Sequence, residues 1–190
     1  MVYRLRILSH LALVASLAVL NFSTTPVFAE TAVAVEKNPP GDIPDTQVFV
    51  AYNGSGFSMK VPEGWSRTDQ PTGARFTDKY NIIVAMVGDA VTAPTISSAA
   101  ATEVASLKAG GRAVKIADVK QVKLDGGQAI RIDYSANSEP NAVTGKQIRL
   151  EGIRFLMFKA GKLVTLDMAA PYGADNVDQW NLMSNSVRIP

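Results

Sequence analysis

Residues 146–170 read KQIRLEGIRFLMFKAGKLVTLDMAA, from Lys146 to Ala170. The stretch parses as two long strands joined at Ala160-Gly161, because glycine reaches positive φ in a two-residue hairpin loop without a Cβ clash. That loop sets the register. Phe158 falls opposite Leu163, Met157 opposite Val164, Phe155 opposite Leu166 and Ile153 opposite Met168. One face of the hairpin is then apolar throughout, and Arg154 meets Asp167 on the other. A one-residue slip would exchange the faces, so the pattern selects this pairing.

The strand before it, Gln128 to Ala136, can be laid alongside. Pairing Ile132 with Leu150 sets Tyr134 against Ile148 and produces two opposite-charge pairs, Arg131 with Glu151 and Asp133 with Arg149. The parity conflicts, since Ile148 and Leu150 are even-numbered whereas Ile153, Phe155 and Met157 are odd. Two readings resolve this. Either a β-bulge at Gly152 inserts one residue and switches the parity, or the strand is buried on both faces, with Leu156 and Phe158 under a helix.

Working outward, Asp125-Gly126-Gly127 is a hairpin turn linking Gln128–Ala136 to an alternating strand, Val114 to Leu124, which carries one parity change. Tyr80 to Val87 is nearly all apolar and reads as a central strand. Ala74 to Thr77 reads as a short strand. Phe57 to Val61 alternates with period two after the turn Asn53–Gly56, and Val48 to Tyr52 is β-prone. Pro94-Thr95 opens a helix through Ala109, with Thr95 as cap and Gly110-Gly111 as stop. A last helix spans Asp175 to about Asn185, with Asp175 read as its cap. Trp65 reads as a core anchor. The sum is an α+β domain over residues 48–190: a single antiparallel β-sheet with helices packed on it.

Residues 1–29 have the layout of a signal peptide: Arg4 and Arg6, an apolar run Leu11–Leu20, and Val27-Phe28-Ala29 at a cleavage site. Leu5 separates the two arginines, so general secretion is expected, to the periplasm or outside the cell. The apolar run is short for a bilayer span; retention as an anchor is the alternative. Residues 30–47, with Pro39, Pro40, Gly41 and Pro44, read as a flexible linker.

The whole chain has 19 basic and 17 acidic residues among 190. Cleavage after Ala29 removes two arginines and no acid, leaving a near-neutral protein without the basic footprint of a nucleic-acid binder. There is no cysteine, and the one histidine, His10, lies in the leader. The mature chain therefore has no disulfide, thiolate or imidazole metal site, and no Ser-His-Asp triad.

Two segments carry a family resemblance. Gly56-Phe57-Ser58 followed by Val61-Pro62-Glu63-Gly64-Trp65, and the ending Gly161-Lys162, helix, Met183-Ser184-Asn185-Ser186-Val187, resemble PsbP-like proteins, a group that includes DcrB-like exported proteins. The resemblance covers Val48 to Pro190 and implies an α-β-α sandwich around an antiparallel sheet. The group includes photosystem II extrinsic subunits, envelope proteins and a Ran-binding branch, so the resemblance does not define a function. The lipoprotein cysteine of many bacterial relatives is missing, and no metal-binding histidine carries over.

The one polar cluster is Arg131, Asp133, Arg149, Glu151, Arg154 and Asp167. With a bulge at Gly152 all six share a sheet face, which is either a binding surface or a solvated face of cross-strand ion pairs, each contributing less than about 1 kcal/mol. No catalytic, cofactor or metal site is expected. The function expected is a non-enzymatic exported accessory or binding protein of the envelope, acting on another envelope protein or a small ligand through contacts or a shallow groove. The alternative is an envelope hydrolase using carboxylate or Ser-Lys chemistry. A buried acid with raised pKa beside a deep pocket would favour the hydrolase; a shallow surface with exposed apolar groups would favour the binding protein.

Overall fold

The computed structural model describes residues 30–190, so the expected leader lies outside the described residues. Nine strands follow in order: β1 Phe49–Gly54, β2 Phe57–Pro62, β3 Ser66–Gln70, β4 Gly73–Asp78, β5 Asn81–Asp89, β6 Lys115–Leu124, β7 Gly127–Asn137, β8 Arg149–Lys159 and β9 Lys162–Pro171. They form two sheets rather than the single one expected. β1 and β2 pair as a separate hairpin, and the other seven form an antiparallel sheet in the order β3-β4-β5-β9-β8-β7-β6. Between β5 and β6 a helical run comprises α1 Ile96–Ala99, a π-helical turn Ala100–Val104 and α2 Ala105–Ala109. α3, Val177–Ser186, closes the chain.

The β8–β9 hairpin has the expected register, Phe158 with Leu163 through Ile153 with Met168, and Arg154 with Asp167. Ala160 and Gly161 both take positive φ, 48° and 79°, as a turn matched to strand twist requires. The β7–β8 register differs from expectation by four residues: Ile132 pairs with Arg154, Tyr134 with Gly152 and Asp133 with Ile153. Pairing runs regularly from Arg149 to Met157, so Gly152 is not a bulge. β8 is instead buried on both faces. The bulge lies on β6, between Ile116 and Asp118, where that strand's parity changes.

One face of the large sheet carries Phe76, Ile83, Ala85, Phe155, Met157, Val164, Leu166 and Met168 into a core closed by Trp180 and Met183 of α3 and by Tyr52, Phe57 and Met59 of the β1–β2 hairpin. Tyr52 stands edge-on to Phe57 and Phe76, an aromatic geometry favourable beyond its buried area. The opposite face carries Ile130, Ile132 and Leu156, packed beneath Ala99, Val104 and Leu107 of the helical run. Thr95 caps that run reciprocally with Ser98. Asp175 does not cap α3; Asn176 stands at the N-cap without a side-chain cap bond, and its amide bonds inward to Gly41 and Asn81.

Residues 30–47, expected as a linker, have no helix or strand but lie against the domain. Ile43 is buried in the main core, and its N–H donates to Asn176 Oδ1 at 2.6 Å. Val33 N–H donates to Asn137 Oδ1 at 3.0 Å.

Candidate functional site

The six candidate residues do not share a face. The parity of β8 puts Arg131, Asp133, Arg149 and Glu151 on the α3 side of the sheet, and Arg154 and Asp167 on the side of the helical run. The two opposite-charge pairs drawn between β7 and β8 do not form, because the four-residue shift separates their members.

On the α3 side, Arg131, Asp133 and Glu151 line an open groove of about 350 Å3 between β6–β8 and the start of α3. Arg131 Nε donates to Asp133 Oδ1 at 2.7 Å, two residues along the same strand, and its guanidinium lies 5.9 Å from the Phe155 ring centroid. Lys120 Nζ reaches Asp133 at 3.4 Å from the edge strand. Contact with Asp118 is the main reason the Lys120 pKa rises. Glu151 Oε1 accepts from the Gly173 N–H at 2.9 Å, which fixes the turn leading to α3. Tyr172 and Val177 border the groove and remain 44% and 63% exposed.

Arg149 has a different task. It is 7% exposed and donates to Ala113 O at 2.9 Å, Asn137 Oδ1 at 3.0 Å and Ser135 Oγ at 2.6 Å. It has no carboxylate partner among the described residues, and burial lowers its pKa. The turn it holds is unusual: Gly111, Arg112 and Ala113 all take positive φ, 76°, 58° and 49°. Left-handed backbone at two consecutive non-glycine residues costs energy that other contacts must offset.

On the opposite face Arg154 donates through Nε to Asp167 Oδ2 at 2.9 Å and through Nη2 to the same carboxylate oxygen, while its Nη1 reaches Glu103 of the π-helical turn at 2.9 Å. Tyr134 Oη donates to the other Asp167 oxygen at 2.6 Å. Burial above all, then the negative charge and hydrogen bond of Asp167, drive the Tyr134 pKa up, so the phenol stays a proton donor. Burial opposes the charge of Arg154, but Asp167 outweighs it and the pKa rises. This network borders a second cavity of about 280 Å3, open to solvent like the groove, between the sheet and the end of α2.

Among the described residues no three His, Cys, Asp or Glu side chains gather as a metal site. No described helix is long and apolar enough to cross a membrane.

No protein-family model and no curated protein sequence matches the chain. Solved structures do. The solution structure of cyanobacterial PsbP (CyanoP) from Synechocystis sp. PCC 6803 superimposes with a TM-score of 0.55 at 14% identity, covering 80% of this chain and all of that one. The fold is PsbP-like. A crystal structure from Bacteroides thetaiotaomicron VPI-5482 is similar at 12% identity and TM-score 0.47, over 71% of this chain and 45% of that one. At these identities the PsbP likeness is one of fold.

Two members of this polar network, Tyr134 and Glu103, escaped the sequence reading. Glu103 lies about fifty positions before Arg154, and only packing of the helical run on the sheet joins them. Tyr134 did have a signal. It pairs across the ladder with Gly152, and a Cβ there would fall 2.5 Å from Tyr134 Cζ. The glycine is a seat for the ring, the arrangement by which an aromatic residue covers a strand glycine.

Proposed function

We propose that this protein is an exported, non-catalytic accessory or binding protein that engages another envelope protein through the groove beside α3. The observation carrying this reading is the groove's composition. Arg131, Asp133 and Glu151 offer both charge signs, and exposed Tyr172 and Val177 offer apolar contact, all at one shallow site. Charge of both signs gives orientation, and exposed aromatic surface gives affinity. The n-h-c layout of residues 1–29 supports export.

Catalysis is less well supported. The carboxylates whose pKa is displaced, Glu30, Asp118 and Glu139, are all displaced downward, each chiefly by a side-chain hydrogen bond. A general acid near neutral pH needs the opposite shift. Purified protein is expected to show no turnover of ester, peptide, glycoside or phosphate substrates.

The test is site-specific photo-crosslinking in the native envelope. A photoreactive side chain at Tyr172 should capture a discrete partner that the same group at Val91, 98% exposed and outside the groove, does not. Reversing charge with Arg131→Glu and Glu151→Lys should abolish the capture. Equal labelling from both positions, or capture indifferent to charge reversal, would refute the groove as the contact site.

A further inference from the structure

We propose that the second cavity, on the sheet face opposite that groove, binds a small apolar carboxylic acid as its anion: a short acyl chain or a single ring whose carboxylate is held by Arg75. This site is independent of the groove and of any partner there.

The cavity's volume of about 280 Å3 lies at the small end of ligand sites. Its walls combine an apolar side with a polar rim. Ile82 and Val84 of β5 and Ala169 of β9 form part of the sheet side, and Leu107 of α2 faces them. The apolar side suits a short hydrocarbon body, and a space of this volume is too small for a nucleotide.

Charge selects the other end of the ligand. Three arginines line the cavity, Arg75, Arg112 and Arg154, and the three nearby acids, Glu103, Glu139 and Asp167, are taken up by only two of them. Geometry says which. Arg112 is paired with Glu139 at 2.5 Å, and Arg154 with Asp167 and Glu103. Arg75 lies in the same cross-sheet row, opposite Val84, which is opposite Asp167, which is opposite Arg154. The acid in that row has nothing left for it, since Tyr134 and Arg154 occupy both Asp167 oxygens. Arg75 has neither an ion pair nor a side-chain hydrogen bond among the described residues, while its charge acts at a distance on Glu139. An unspent guanidinium lining a recess with an apolar side matches a carboxylate, which it can grip with two parallel N–H bonds. A dianion such as phosphate would face Glu139 and Asp167 with a single compensating charge, and is disfavoured.

The site is also built in advance. The wall at the end of α2 is the left-handed turn 111–113, held by Arg149 on Ala113 O and by the Asn137 N–H on Arg112 O at 2.7 Å. Strained backbone held by buried donors is a sign of a site fixed for a purpose, and a preformed wall lowers the ordering cost of binding.

The probe is hexanoate, titrated by two-dimensional NMR into isotopically labelled protein expressed from the full sequence. Saturable shifts are expected at Ile82, Val84, Leu107 and Ala169. Hexanamide, with the same chain and no charge, should bind about tenfold more weakly or worse, and so should hexanoate to Arg75→Gln. Arg75→Lys, which keeps the charge and loses the fork, should fall between. Arg75 is half-buried and has no side-chain hydrogen bond to lose, so unchanged amide shifts away from β4 should confirm an intact fold in both variants. The proposal is overturned by any of four results: no saturable shift with millimolar hexanoate, equal binding of hexanamide, equal binding of inorganic phosphate, or full affinity in Arg75→Gln. Shifts confined to Ile153 and Trp180 would place the acid in the other groove and equally reject this site.

Discussion

Gly152→Ala tests the reason for a glycine in the middle of a strand buried on both faces. The new Cβ would fall 2.5 Å from Tyr134 Cζ, 2.7 Å from its Oη and 2.8 Å from Cε1. Contacts this short force the ring to move, and the ring is tethered: its hydroxyl donates to the Asp167 carboxylate at 2.6 Å. Losing a hydrogen bond to a charged group costs about 1.5–3 kcal/mol. Against this, alanine regains about 0.5–1 kcal/mol over glycine through reduced unfolded-state freedom. The net expectation is destabilisation of about 1–2 kcal/mol, with displacement strain adding to it. Urea denaturation followed by tryptophan fluorescence reads the change as a lower midpoint at unchanged slope. Tyr134→Leu removes the atoms that the Cβ meets, so Gly152→Ala in that background should be neutral or stabilising. If Gly152→Ala is neutral in the otherwise native chain, or costs the same in both backgrounds, the ring is not what demands the glycine.

Four further outcomes are expected. Gly73→Ala should cost about 3 kcal/mol or more, because its Cβ would meet the Ala85 backbone oxygen at 1.9 Å and a ladder cannot step aside, whereas Gly88→Ala, with open space around it, should be near neutral; urea midpoints compare them. Arg149→Met should cost about 2–4 kcal/mol by orphaning Ala113 O and Ser135 Oγ, and amide exchange should quicken around residues 111–113 before elsewhere. Hydrogen bonding to Arg112 holds the Glu139 pKa below its ordinary 4.5, so its stabilising contribution is complete above that pH and is lost as pH falls through the lower folded value; Glu139→Gln should flatten that part of an acid-unfolding curve and leave neutral pH little changed. Mass spectrometry of the native protein should show Glu30 as the N-terminus; intact Met1 would point to an anchored chain.

The β8–β9 hairpin was legible because its loop allows one register and its faces differ sharply. The β7–β8 pairing was not, and the reason is arithmetic. Side chains alternate with period two, so a shift of four residues preserves which residues face which side. The pairing of Ile132 with Leu150 and the observed pairing of Ile132 with Arg154 both satisfy the alternation. What separates them is the 138–148 connection, closed by Ser138 N–H to Ile148 O and Ile148 N–H to Ser138 Oγ. Such closure depends on loop geometry that no hydrophobic pattern encodes. The same blindness misplaced the bulge. The parity change within Val114–Leu124 was visible and real, while the conflict within β8 came from burial on two faces. Strand β3 escaped notice because SRTDQ has no apolar residue to mark it; it is exposed along its length at the sheet edge.

The division of the charged cluster follows from that two-sided burial. A strand in mid-sheet with one layer of structure on each face must send its polar residues to both sides, so six charges read as one surface become two sites. Each then depends on what covers its face. On the α3 side, the helix packs beside β2, and Arg131, Asp133 and Glu151 border an open groove between it and β6–β8. On the other side the helical run stops at Gly110, and the strained turn at 111–113 bridges to β6 over a cavity instead of a packed core. Arg154 and Asp167 are held there by Glu103 and Tyr134, both supplied by elements distant in sequence. That saturation is what leaves Arg75 without a partner in its row. The two openings thus lie on opposite faces of one sheet, each beside a helical element. Straining the turn with Gly111→Ala, at φ 76°, should therefore disturb the Arg75 cavity and leave crosslinking from Tyr172 unchanged.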